Sequence, residues 1–138
     1  MIEYTTTLER VDWEALKSDL MGDDFHNGRT TAQLRMSFEN SSHVAMAFTE
    51  HRCIANGRLL SDGVGNAFVV DVWTHSSYRN QRVATQIMQM LIAAVPGQHI
   101  YLQSDDAVGF YTKLGFWKQP EGLAICSGQY LENSTRCT

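Results

Sequence analysis

The stretch "NAFVVDVWTH", residues 66–75, is the feature that most limits how this chain can fold. Its apolar, β-branched run reads as a strand covered on both faces, which is the pattern of a central position in a sheet. The polar loop "SSYRNQR" follows. Residues 82–95 then repeat Ala84, Ile87, Met88, Leu91 and Val95 at helical spacing, which predicts an amphipathic helix ended by Pro96 and Gly97. Residues 99–103 read as another strand. Strand, helix and strand in succession imply a partly parallel sheet. They also aim the helix's free N–H groups, and the positive end of its dipole, at the loop. A phosphate-holding loop usually carries glycine, because bare backbone approaches closest. This one carries Arg82, so the loop alone reads equally as an anion cradle or as a basic turn.

The remaining elements follow from local signals. Residues 2–7 read as a strand. Asp12 is placed to cap a helix bearing Trp13, Leu16 and Leu20, and Thr30 or Thr31 to cap a second through Leu34 and Phe38. A polar loop, residues 21–29, joins the two. His43–Thr49 and residues 53–60 read as a strand pair. Ser104 or Asp105 caps a helix whose apolar face is Ala107, Phe110, Tyr111 and Leu114, with Gly115 as its terminator. Residues 123–130 read as a last strand. The expectation is an α/β fold (α+β mixed sheet) of six to seven strands and about four helices. It forms a single domain over residues 1–131, with a polar, loose tail at 132–138.

Bulk properties exclude several classes. The 138 residues suit one core. No apolar run is long enough for a membrane span, and no basic segment precedes an apolar block near Met1, so no signal peptide is expected. A net charge of −4 argues against a nucleic-acid module. It leaves room for a local cationic cluster, for which Arg79, Arg82, Lys113 and Lys118 are candidates. The three cysteines, Cys53, Cys126 and Cys137, are odd in number and scattered, which reads as a reducing, cytoplasmic setting. No metal site is expected, since neither CxxC nor zinc-spaced histidines occur.

Two segments together carry a resemblance. Arg79-Asn80-Gln81-Arg82-Val83-Ala84 follows the central strand, and Phe110-Tyr111-Thr112-Lys113-Leu114-Gly115-Phe116 lies beyond a helix and a strand. The chain resembles the GNAT superfamily of acetyl-CoA-dependent N-acetyltransferases. That family's phosphate loop reads Q/R-x-x-G-x-G/A, so Arg82 stands where the first glycine is usual. Its later F-Y-x-x-x-G-F run is intact here. "GRLLSDG", before the central strand, also looks like many members. The resemblance implies acetyl-CoA as acyl-donor co-substrate. The backbone of Trp73 and Thr74 would pair with the pantetheine arm. Arg79, Asn80, Gln81, Arg82, Val83, Ala84 and Thr85 would form the pyrophosphate cradle, with Ser104 also at the cofactor. Tyr111 would protonate the departing thiolate, and the acceptor would be a small-molecule or peptide amine. Homodimers are frequent in the family. At Arg82, ordinary right-handed φ and ψ are expected to suffice.

Each residue also has a plainer reading. Tyr111 fits an apolar helix face. Asp71 is the candidate base, sharing a strand face with Val69 and Trp73 in an apolar setting expected to raise its pKa. It reads equally as an aspartate satisfied by backbone groups or by a strand bulge. A bound water is the alternative base. Asp62 reads as a turn residue and His75 as a flank of the loop. Asp23, Asp24 and Phe25 read as a solvated loop that could also draw in a cationic amine. Trp73 and Trp117 read as core, Met88 and Met90 as packing, and Cys126 as a buried strand thiol. The alternative function is a catalytically inactive CoA-binding or protein-interaction module, motivated by Arg82.

Overall fold

Burial alternates along the chain in a way that requires a sheet covered on both sides. In the strand His43–Thr49, four successive residues, Ala45, Met46, Ala47 and Phe48, are fully buried. Ala45 and Ala47 join one apolar cluster, Met46 and Phe48 another. The computed structural model describes residues 1–131. Its strands are β1 (Glu3–Thr5), β2 (His43–Thr49), β3 (Arg52–Ser61), β4 (Asn66–Thr74) and β5 (His99–Tyr101). Its helices are α1 (Trp13–Gly22), α2 (Thr31–Glu39), α3 (Val83–Ala93) and α4 (Val108–Lys113). The sheet order is β1-β2-β3-β4-β5, antiparallel throughout except for the parallel pair β4–β5. The mixed α/β architecture and the four helices match expectation.

α3 and α4 cover one face. Ile87, Met88 and Leu91 of α3 pack with Leu59, Ala67 and Val69, and Phe110 and Tyr111 of α4, with its C-cap Leu114, join the rim of that cluster. α1 and α2 cover the other face through Leu16, Leu20, Leu34 and Phe38, packed with Met46, Phe48 and Trp73. Gly57 lets α3 approach closely, since a Cβ there would stand 2.8 Å from Ile87 Cγ2. Asp12 caps α1 by accepting from the Ala15 N–H at 3.1 Å. At α2 the Thr30 hydroxyl accepts from the Gln33 N–H while the Gln33 side chain accepts from the Thr30 N–H, a closed capping box. α4 ends at Gly115 (φ 103°) with Phe116 N–H bonded to Tyr111 O, a Schellman closure. No helix among the described residues is long and apolar enough to cross a membrane.

Among the described residues the sheet has five strands, where six to seven were expected, and residues 123–130 form no strand. Their alternation finds no face to bury: Leu123 and Ile125 are 92% and 96% exposed. Pro120, Gly122 and Gly128 also weaken any extended pairing there. Tyr130 at the segment's end accepts from the Asn27 side chain at 2.8 Å, and before it Trp117 lies against the His99 ring. Trp117 is 68% exposed, so its expected core position is corrected. Residues 132–138, read as a loose tail, lie outside the described residues.

Candidate active site

β4 and β5 pair only over Asn66↔His99, Ala67↔Ile100 and Phe68↔Tyr101. Beyond that β4 continues on β3 to Thr74. Its other edge, residues 69–74, meets no strand among the described residues and faces a cleft of about 1560 Å³. This is why β5 is shorter than the expected 99–103. Leu102 to Ala107 become the opposite wall. A bulge adds to the divergence. One residue, Gly57, lies between Asn56 and Arg58 where β4 places two, Asp71 and Val72, and Asp71 takes φ 58°. A bulge of this kind bends and twists its strand.

The start of α3 opens into the same cleft, which Arg82, Val83, Ala84 and Thr85 line together with Arg79 and Asn80. Gln81 is not among the lining residues. Arg82 is the N-cap, with φ 61° and ψ 20°, and no side chain caps the helix. Expectation is corrected here: the position is left-handed, and Asn80 (φ 64°) is too. The family's glycine would sit at Arg82 without strain, whereas a side chain costs about 1–2 kcal/mol. Arg79 braces the loop, its Nε donating to Thr74 O at 3.2 Å.

Tyr111 lines the cleft from α4, held edge-on between the Phe110 and Phe116 rings at 4.9 and 5.7 Å. Burial, with the Asp106 charge adding to it, pushes its phenol above the ordinary value. Tyr111 therefore keeps its proton at neutral pH. Ser104 borders the cleft, and its hydroxyl accepts from the Ala107 N–H at 2.9 Å.

Asp71 is the largest departure from the sequence reading. The bulge breaks the strand's alternation, so Val69 packs toward α3 while Trp73 packs toward α1 and α2. The carboxylate accepts from Arg29 at 2.8 and 3.2 Å and from Arg58 Nε at 2.6 Å. Burial pushes the Asp71 carboxyl up, as expected, but the two guanidiniums outweigh it and hold it below the usual carboxylate range. Arg29 and Arg58 escaped the sequence reading. A buried strand carboxylate does call for a counter-charge, and Arg58 sits opposite Val70 on the neighbouring strand. Arg29 comes from a distant loop, with no local signal.

The other candidates resolve as follows. The Asp23 carboxylate accepts from Trp73 Nε1 at 3.0 Å and the Ser76 N–H at 3.1 Å, with Arg79 at 3.8 Å, so it is not a solvated loop residue. Asp24 is exposed and lines the cleft with Phe25. His75 flanks the loop as read, its Nδ1 accepting from the Ser77 N–H while Arg52 lies 3.1 Å from Nε2. Asp62 is a turn residue, taking the Val64, Gly65 and Asn66 N–H groups. Trp73 is buried core. Burial pushes the Cys53 thiol up to about 12. Cys126 is half-buried and lies outside any strand, so its reading as a buried strand thiol is corrected.

The model of the acetyltransferase (GNAT) family matches residues 3–116. The chain is 30% identical over 103 residues to GCN5-related N-acetyltransferase 1, chloroplastic, of Arabidopsis thaliana. The match covers 69% of this chain and 51% of that protein, so the chain spans about half its relative's length. Among solved structures it superposes on a GNAT family acetyltransferase of Streptococcus pneumoniae with a TM-score of 0.77 at 21% identity, covering 94% of this chain and 100% of that one. It also superposes on glucosamine-6-phosphate N-acetyltransferase of Arabidopsis thaliana with a TM-score of 0.71 at 16% identity, covering 92% and 99%. These likenesses share the fold, the family model spans both sequence motifs, and the chain belongs to the GNAT acetyltransferase family.

Proposed function

We propose that this chain transfers the acetyl group of acetyl-CoA to an amine, by direct attack in a ternary complex. The observation that carries the reading is one cleft in which three features meet: an unpaired strand edge, an uncapped helix start and a protonated tyrosine. Residues 69–74 offer backbone donors and acceptors to an amide-bearing arm, as a sheet edge does to an added strand. The first turn of α3 offers N–H groups to a pyrophosphate. In the chemistry proposed, the neutral amine nitrogen bonds to the thioester carbon, the carbon–sulfur bond breaks, and Tyr111 gives its proton to the departing thiolate. Water, not Asp71, takes the proton the amine loses, because a carboxylate held by two guanidiniums is a weak base. Asp71 then acts as a positioning residue that fixes Arg29 and the bulge.

Arg82 favours one second reading, a module that binds CoA without turnover. Its Cβ crowds the cradle even as its guanidinium adds charge there. Thermal stabilisation by CoA, followed by thiol release and product masses over an amine panel, separates the two. A shift with turnover is the expected result. A shift without turnover supports the binding module, and no shift at millimolar CoA refutes both.

A further inference from the structure

The corner between β4 and the cradle is held by a histidine with a donor facing each of its ring nitrogens. His75 is the N-cap of one 3₁₀ turn, Ser76–Tyr78, which leads directly into Arg79 and Asn80 at the cleft. Every N–H of that turn is taken. Ser76 donates to Asp23 at 3.1 Å, Ser77 to His75 Nδ1 at 3.0 Å and Tyr78 to the His75 carbonyl at 2.8 Å. The second ring nitrogen, Nε2, lies 3.1 Å from Arg52 Nη2, which also donates to Asp19 Oδ1 at 2.7 Å. A guanidinium only donates, and a neutral imidazole has one acceptor nitrogen and one N–H. The ring therefore cannot accept from Ser77 and from Arg52 at once. Keeping the Ser77 bond puts the proton on Nε2, where the Asp19 carboxylate, 3.9 Å away, favours it. An imidazolium has no acceptor left, so a second proton removes the Ser77 bond outright. The charged and titratable groups around the ring are Asp19 on α1, Asp23 at its C-cap, Arg52 on β3, and Tyr78 and Arg79 after the turn's start. The ring is 13% exposed in its side chain and meets Trp73 and Tyr78 edge-on, both at 5.9 Å, so it has little room to turn away.

We propose that His75 is a positioning residue for the cofactor: its neutral ring, protonated at Nε2, holds the turn that presents Arg79, Asn80 and Arg82 to the pyrophosphate, and a second proton releases that turn and weakens CoA binding in mild acid. The inference rests on the acetyl-CoA reading of the cleft. The loop after the turn needs a fixed end, because Arg82 holds a left-handed backbone that its own side chain disfavours. A loop freed at His75 must be ordered by the ligand, and that ordering is subtracted from affinity. Histidine suits the place because it is the side chain that changes charge across neutral pH.

The test is CoA affinity by calorimetry from about pH 5.5 to about pH 8.5 for the full chain, His75→Asn and His75→Ala. Asparagine supplies a cap acceptor that no proton removes. The ratio of wild-type to His75→Asn affinity therefore isolates the ring, since protons taken up by CoA's own phosphate and by the other histidines cancel. That ratio is expected to fall about three- to tenfold from the alkaline to the acid end, the size of one lost cap. His75→Ala should bind about three- to tenfold more weakly than wild type at the alkaline end and match it at the acid end. Arg52→Met, placed in both the wild-type and the His75→Asn chain, removes a cation beside Nε2 and frees Asp19, so the fall should move to higher pH. A ratio flat to within about twofold across the range, or His75→Ala with wild-type affinity at the alkaline end, overturns the proposal while leaving acetyl transfer intact. A fall that does not move with Arg52→Met assigns the titration to another group and overturns it too. No CoA binding by the wild-type chain at any pH removes this proposal together with the function beneath it.

Discussion

Two arginines stand just before helices in this molecule, and the chain treats them in opposite ways. Arg29 precedes the cap of α2. It is buried, its guanidinium is shared among Asp71, Ser37 and the His26 carbonyl, and the helix behind it is closed by the Thr30–Gln33 box. Arg82 is itself the cap of α3. It is exposed, left-handed and supplies no cap bond, and the helix start opens into the cleft. One corner is satisfied internally and holds the fold. The other keeps strain and unsatisfied donors, as functional sites often do. A helix N-terminus thus becomes a candidate site when nothing in the chain closes it.

The closed corner is tested most severely at Asp71. Asp71→Ala strands two buried guanidiniums, and a loss of about 3–5 kcal/mol is expected in urea unfolding. A loss below about 1 kcal/mol would mean the corner is not closed in solution. Acid gives the same information. Because the folded-state carboxyl lies below its unfolded value, its contribution is fully present above about pH 4 and drains away as pH falls through the folded value. The Asp71→Asn variant should lack that part of the acid limb.

At the open corner the largest effect belongs to chemistry. Tyr111→Phe should cut turnover about 10²-fold or more with CoA affinity nearly unchanged. Equal losses in both would make Tyr111 a packing residue. A phenol pushed above its usual value also sets a direction. Turnover should fall only in strongly alkaline solution, as Tyr111 gives up its proton, and Tyr111→Phe should lack that limb.

What was legible in the sequence divides along the same line. β2 fell on the expected residues, and Thr30 and Gly115 were found, because alternation, capping and glycine terminators are local signals. The Asp71–Arg29 contact was not, since it joins residues 42 positions apart; a strand bulge at Asp71 was among the readings and is present, but nothing local showed which side it would turn the carboxylate to. The left-handed backbone at Arg82 was misread as right-handed, although the family pattern, in which glycine holds that place, carried the signal. Residues 123–130 misled because alternation reports a capacity to pair, not the presence of a partner.

The closed cap itself supplies a control. Thr30→Ala should cost about 1 kcal/mol and leave CoA affinity alone, since the Thr30 hydroxyl is committed to Gln33. A change in CoA affinity would show that the two corners are coupled through the Asp23 loop.

The smallest expected change in stability is the most informative one. Arg82→Gly relieves a left-handed side chain but loosens the unfolded chain, for a net gain of about 0.5–1 kcal/mol. If the guanidinium holds a phosphate, CoA affinity should drop several-fold in the same variant, so that stability and binding move in opposite directions. If both improve, Arg82 is an obstruction and the binding-module reading gains ground. Arg82→Lys separates charge from geometry: it keeps the strain and a point charge but loses the planar fork. Binding retained in Arg82→Lys and lost in Arg82→Gly would assign the effect to charge. Loss in both would assign it to the guanidinium's shape.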